Sequence, residues 1–206
     1  MSTEYIAHRI NTIEELKLLC PEYGVEIDLR DGLDGRIYLQ HDPFIPGDDF
    51  EEYLQNYEHG TMILNIKSER VELKALELIK KYNIQKYFFL DSSFPMIKLL
   101  TDKGERNIAI RFSELEGLEN LRLMQGRCDW VWADCFTKFP LTEESYKTIK
   151  ELGYKICFVS HELEGQAEKI AEYRKLTEIK NISLDAICTK FNNICKWQCL
   201  SKDDWY

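Results

Sequence analysis

The chain lacks any apolar run approaching the length that crosses a bilayer. Its first residues, MSTEYIAHR, have neither the basic start nor the apolar stretch of a signal peptide. There is no CxxC pair, and the 7 cysteines are odd in number, with Cys128, Cys135, Cys157 and Cys188 in apolar surroundings. A disulfide framework or a zinc site is therefore not expected; reduced, mostly buried thiols in a cytoplasmic protein are. Surplus basic charge is also missing. A net charge of −9 argues against a general nucleic-acid binder. It leaves room for a small anionic substrate, because local charge and a bound cation decide that case. No linker, repeat or low-complexity run divides the sequence, and no dinucleotide-binding glycine motif is found.

What is there reads as one soluble domain, residues 1–206, with 44% hydrophobic and 31% charged residues and a core that needs no staples. Short apolar runs at 4–9, 24–30, 61–67, 86–91, 107–112, 130–136, 154–160 and 184–190 predict eight buried strands. Helices are predicted between them at 12–20, 48–57, 69–82, 95–102, 115–124, 141–152 and 164–178, with a short closing helix at 192–200. Thr12 and Glu15 form a capping box. Asp34-Gly35 signals a hairpin, so IYLQH returns as an extra antiparallel strand and brings His41 back toward strand two. Strands alternating with crossover helices predict an α/β fold, a compact (β/α)8 TIM barrel with a small β-hairpin insertion after strand 2. The chain is short for that fold, which usually needs about 250 residues. An open doubly wound sheet is the competing architecture.

A barrel places its chemistry at the C-terminal ends of the strands. His8 and Arg9 end strand one. Glu26 and Asp28, two residues apart, share one face of strand two and offer oxygen ligands to a divalent cation. Asn65 and Lys67 end strand three, Arg111 strand five and Lys190 strand eight. Asp91, Ser93, Trp132, Asp134, Ser160 and His161 fall on the same rim. Two histidines beside a carboxylate pair suit phosphate-ester hydrolysis. A cation offsets the anion's repulsion of nucleophiles, and histidine moves protons near neutral pH. Taken singly, either histidine reads as structural, and His59, next to Gly60 in a loop, reads as exposed and inert.

The motifs AHR, EID, DG, HDP and NIK, in this order over the first third of the chain, resemble the glycerophosphodiester phosphodiesterase family. Its members are barrel relatives of the phosphatidylinositol-specific phospholipases C. The family shows HRG, ExD, DG, HD and ExK. Ser93-Phe94 and the AICTK run ending at Lys190 are weaker echoes. The resemblance implies a phosphoric diester hydrolase in which His8 and His41 are the general acid/base pair. Arg9 and Lys67 would hold the phosphate, with Arg111 and Lys190 as further substrate contacts, and Glu26, Asp28 and Asn65 would bind Mg2+ or Ca2+. Three positions depart from the pattern. Ile10 stands where the family has glycine, the first loop is cut to Asn11-Thr12, and Asn65 replaces an acid, so metal binding should be weaker. The expected activity is metal-dependent hydrolysis of a small soluble phosphodiester, without a membrane or nucleic-acid partner. A lyase forming a cyclic phosphate, and a non-catalytic barrel binding a phosphorylated sugar or polyol, are the alternatives.

Overall fold

Short runs of β-branched and aromatic residues alternate with amphipathic segments, and in the computed structural model, which describes residues 2–198, they become strands and helices of one sheet system. The strands are β1 (Glu4–Ala7), β2 (Gly24–Asp31), β3 (Ile37–Leu39), β4 (Asp48–Asp49), β5 (Met62–Ile66), β6 (Tyr87–Leu90), β7 (Ala109–Phe112), β8 (Trp130–Ala133), β9 (Lys155–Val159) and β10 (Ala186–Thr189). The helices are α1 (Ile13–Leu18), α2 (Phe50–Gln55), α3 (Glu72–Lys81), α4 (Phe94–Asp102), α5 (Glu119–Leu123), α6 (Glu143–Glu151), α7 (Ile170–Ile179) and α8 (Ile194–Gln198). The Thr12–Glu15 capping box is formed at the start of α1.

Parallel pairings join β1 to β2, β2 to β5, β5 to β6, β7 to β8, β8 to β9, β9 to β10 and β10 to β1. Between β6 and β7 there is one parallel bridge, Phe89 to Ile108. The hairpin strand β3 lies antiparallel on β2, with Leu29 opposite Leu39, and the short β4 pairs with β3 in turn.

Two apolar clusters explain why the strands read as continuous hydrophobic runs. One is built from alternate strand residues, among them Ile6, Ile63, Phe88, Trp130, Cys157 and Cys188. The other packs the opposite strand face, for example Val25, Ile27 and Leu29, against helix residues such as Leu16 and Ile79. Strands buried on both faces are what parallel sheets with crossover helices require. The six described cysteines are free, and Cys128, Cys135, Cys157 and Cys188 are buried, as their apolar contexts predicted. Among the described residues no helix is long and apolar enough to cross a membrane.

Several predicted boundaries are corrected. The helix expected at 48–57 begins only at Phe50, because Asp48 and Asp49 pair with β3 and Asp49 caps the helix through the Glu52 amide. Within 115–124 only Glu119–Leu123 is helical, since Ser113 and Glu116 close a turn on each other first. The segment expected to turn helical at 164 forms two 3-10 turns before α7, with Gly165 in the left-handed region at φ 79 between them. The last two residues of the closing helix expected at 192–200 lie outside the described residues.

Candidate active site

Period-two alternation sets the site. On β2, Glu26 lies level with Ile63 of β5 and Asp28 level with Asn65, so the two acids and the amide share one face. Glu26 and Asp28 are fully buried. A buried acid needs partners, and each finds them in the loop after β1. That loop turns sharply, with Arg9 in the left-handed region at φ 56, a costly conformation for a non-glycine residue. The turn aims the Arg9 amide at Glu26 Oε2, 2.8 Å away, and the Ile10 amide at the Glu26 carbonyl, 3.0 Å away. The strained residue is thus Arg9, one position before the Ile10 that stands in for the family's glycine.

Asn11 does what its short loop did not advertise. Its carboxamide donates to Asp28 Oδ2 at 2.8 Å and accepts from the Asp28 amide at 2.9 Å. The signal available in the sequence was an asparagine two residues before a helix, which reads equally as a cap.

His8 is pinned by its own amide, which donates to the Thr189 carbonyl at 2.8 Å. Its Nε2 lies 3.7 Å from Glu26 Oε2. Burial, then the positive charges of Arg9 and Lys190, push its pKa down to about 3. Glu26 moves the other way, raised by burial and by the neighbouring Asp28, against hydrogen bonds from Asn65 and the Arg9 amide. Neutral His8 and a Glu26 inclined to hold a proton therefore face one another.

Asn65 donates from Nδ2 to Glu26 Oε1 at 2.7 Å. That leaves Asn65 Oδ1, together with Asp28 Oδ1, buried without a hydrogen-bond partner. Lys67 Nζ stands 3.6 Å from Asp28 Oδ1 and 3.6 Å from Asp91 Oδ2. Arg111 takes up the other oxygen of Asp91 at 2.7 Å and also binds Asp134. The result is a ladder of alternating charge, Asp28, Lys67, Asp91, Arg111, Asp134, running from β2 to the end of β8. Burial pushes Asp134 up to about 7 against the pull of Arg111.

The remaining candidates are placed unevenly. His41 sits at the rim because the Arg30 guanidinium grips its carbonyl at 2.7 and 3.1 Å. Its ring is bonded to Asp42 at 2.8 Å and is 37% exposed. Among the described residues it makes no hydrogen bond or ion pair with Glu26, Asp28 or His8. Lys190 contributes charge near His8, while its amide donates to Glu162 at 3.0 Å. Buried Glu162 also accepts from the Ser160 and Thr189 hydroxyls; burial works to raise its pKa, but these hydrogen bonds outweigh it and hold the carboxylate low. Glu162 was not singled out in the sequence, since a glutamate two residues past a strand reads as solvated.

His161 is corrected outright as a rim contact. It is fully buried, with its ring 4.2 Å from the Tyr173 ring centroid and 6.2 Å from that of Trp197. The 3-10 turn that follows β9 rotates it off the inward row. Both ring nitrogens are buried and without a partner. His161→Phe should therefore leave stability unchanged or raise it by up to about 1 kcal/mol, read as the urea unfolding midpoint; a loss of that size would reveal a bond to the imidazole. His59 is also better anchored than expected, with Nε2 at 3.1 Å from the Leu19 carbonyl. Trp132 is buried in the inner apolar cluster.

The oxygens here that could hold a cation are those of two acids and an amide. Among the described residues no three of His, Cys, Asp and Glu converge as a metal site. Yet two buried oxygens without a hydrogen bond lie beside Glu26, Asn65 Oδ1 and Asp28 Oδ1, the latter with the Lys67 ammonium 3.6 Å away, and carboxylate and amide oxygens of this kind fit a hard cation.

No protein-family profile and no curated protein matches this chain. Solved structures do. A glycerophosphodiester phosphodiesterase from Agrobacterium tumefaciens str. C58 is similar with a TM-score of 0.65 and 14% identity, over 90% of this chain and 96% of that one. A glycerophosphoryl diester phosphodiesterase from Parabacteroides distasonis ATCC 8503 gives 0.65 and 14%, over 95% and 86%. The resemblance read from AHR, EID, DG, HDP and NIK is thereby met at the level of architecture: this chain has the fold of solved glycerophosphodiester phosphodiesterases.

Proposed function

We propose that this chain is a phosphoric diester hydrolase of the glycerophosphodiester phosphodiesterase type. In this reading residues 1–206 form one domain, a closed (β/α)8 barrel with the β2–β3 hairpin as an insertion. One observation carries it: His8, Arg9, Glu26, Asp28, Asn65 and Lys67 gather on three adjacent strands and the loop after β1, with Asn65 Oδ1 and Asp28 Oδ1 buried without a hydrogen bond. Arg9, whose side chain is 47% exposed, and Lys67 hold the phosphate. Arginine's fork suits two phosphate oxygens. Arg111 and Lys190 extend the positive rim around them.

Glu26, Asp28 and Asn65 would hold Mg2+ or Ca2+, and such a cation, when bound, withdraws charge from a phosphoryl oxygen. His8 and His41 divide the proton work. One takes a proton from the attacking water as the new P–O bond forms. The other gives a proton to the departing alkoxide oxygen as the old P–O bond breaks. Neutral His8 is ready to act as the base, and a bound phosphodiester anion raises its pKa toward the working range.

The deciding experiment is a screen of phosphodiesters with Mg2+, Mn2+ and Ca2+, with products followed by phosphorus NMR. Phosphomonoester formation supports hydrolysis, and a cyclic phosphate would move the reading to a lyase. A non-catalytic barrel that binds a phosphorylated polyol is favoured by two observations, Asn65 in place of an acid and the exposed, Asp42-bound ring of His41. No cleavage with any cation would select it. Within the catalytic reading, Asn65→Asp adds a third negative ligand and should tighten Mn2+ or Ca2+ binding by about tenfold, measured by calorimetry. Unchanged affinity would remove Asn65 from the donor set.

A further inference from the structure

The sheet is weakest beside the site, between β6 and β7. Where β5 and β6, or β7 and β8, share a run of paired residues, β6 and β7 share only the Phe89–Ile108 bridge. The Phe89 amide reaches the Asn107 carbonyl at 2.8 Å, but the next rung, from the Asp91 amide to the Ala109 carbonyl, is not made. Asp91 adopts φ 61 and turns its strand aside. The seam opens a cleft of about 370 Å³ with Asp91, Arg111 and Glu116 at its polar mouth and Ile97 and Ile110 on its walls. That volume is within the range of small-molecule sites.

The cleft has two ends. At one, the Asp91 carboxylate contacts Lys67 and Arg111 together, so the cleft starts one ion pair away from the Lys67 of the proposed phosphate position. At the other, Phe94 is shared with a second groove of about 450 Å³ between α4 and α5, lined by Pro95, Leu123 and Met124 with Lys98 and Arg127 at its edge. This groove is mostly apolar, and Phe94 and Leu123 are 51% and 76% exposed along it. An exposed apolar groove joined through the buried Ile97 and Ile110 to a charged site marks a ligand that is itself polar at one end and apolar at the other.

We propose that the substrate is an amphiphilic phosphodiester carrying an alkyl chain. Its phosphate lies at Arg9 and Lys67, and its chain leaves through the β6–β7 seam past Ile97 and Ile110 onto Phe94, Leu123 and Met124. This rests on the phosphodiester reading of the mouth and replaces the expectation of a small, fully soluble substrate.

The test is calorimetric binding of hexyl-, octyl- and decylphosphocholine, each below its micelle concentration, to the whole protein. Affinity should rise by up to about fourfold for each added methylene. Phe94→Ser and Leu123→Asp, both at exposed positions, should flatten that dependence while leaving inorganic phosphate binding intact. Affinity independent of chain length, or a dependence that survives both substitutions, overturns the proposal. Chain-dependent binding without turnover of any phosphodiester overturns the hydrolase reading and leaves the amphiphile site standing. Turnover of short phosphodiesters with no chain dependence does the reverse.

Discussion

His8→Ala is expected to lower kcat on a cleavable phosphodiester by about 10²–10⁴-fold, the usual worth of one positioned proton-transfer group. The imidazole lies beside Glu26 at 3.7 Å and carries no structural hydrogen bond that alanine would lose; its backbone bond to Thr189 stays. Circular dichroism and the thermal midpoint should therefore hold while turnover falls. His41→Ala is expected to fall in the same range, again with the fold intact, because its partly exposed ring is hydrogen-bonded to the exposed Asp42. Near-normal turnover in either variant would break the two-histidine assignment.

The pH dependence sharpens this. The folded pKa of His8, about 3, lies below its ordinary 6.5. The stability contributed by the neutral ring is fully present above about pH 6.5 and is lost as pH falls toward 3. His8→Ala should then lose less stability than the parent between those limits, measured as urea midpoints across the pH series. Equal pH slopes in parent and variant would show that His8 is not held neutral.

Phe88→Ala should be the most destabilising single change among the inner strand residues, by about 3–5 kcal/mol. Phe88 is fully buried and stacks on Trp130 with ring centroids 4.6 Å apart. It lies in the cluster made of alternate residues from β1 and β5 to β10, whose members are held in place by strand pairing. Chemical denaturation reads the loss directly. A cost below about 1 kcal/mol would mean that the cluster collapses around the gap, which a close-packed interior rarely permits.

Much of the fold was legible because it is local. Val25, Ile27 and Leu29 alternate with Glu26 and Asp28, and a strand has no other way to sort them. Thr12 and Glu15 announced α1, and Asp34-Gly35 announced the turn onto β3. The errors sit where local propensity loses to pairing or to a turn. Asp48 and Asp49 read as helix and are captured by β3. His161 has the inward parity of Cys157 and Val159, yet the 3-10 turn after β9 carries it into the aromatic cluster of Tyr173 and Trp197. Asn11 and Glu162 were overlooked because a polar residue in a loop has no periodicity to betray its partner.

By itself the sequence determined the alternation of strands and helices, the shared face of Glu26 and Asp28, and the set of residue types gathered at strand ends. These follow from two- and four-residue spacings, which hold wherever the chain runs. Only the tertiary structure decided which of those residues meet. The Arg9 amide reaches Glu26 through a left-handed turn, the Asn65 amide donates to Glu26 and leaves its oxygen free, and Lys67 and Arg111 join three acids into one ladder that spans five strands. The open seam between β6 and β7 belongs to the same class. Such features depend on the register and splay of strands far apart in the chain, which a single sequence without its partners in space does not encode in any local pattern.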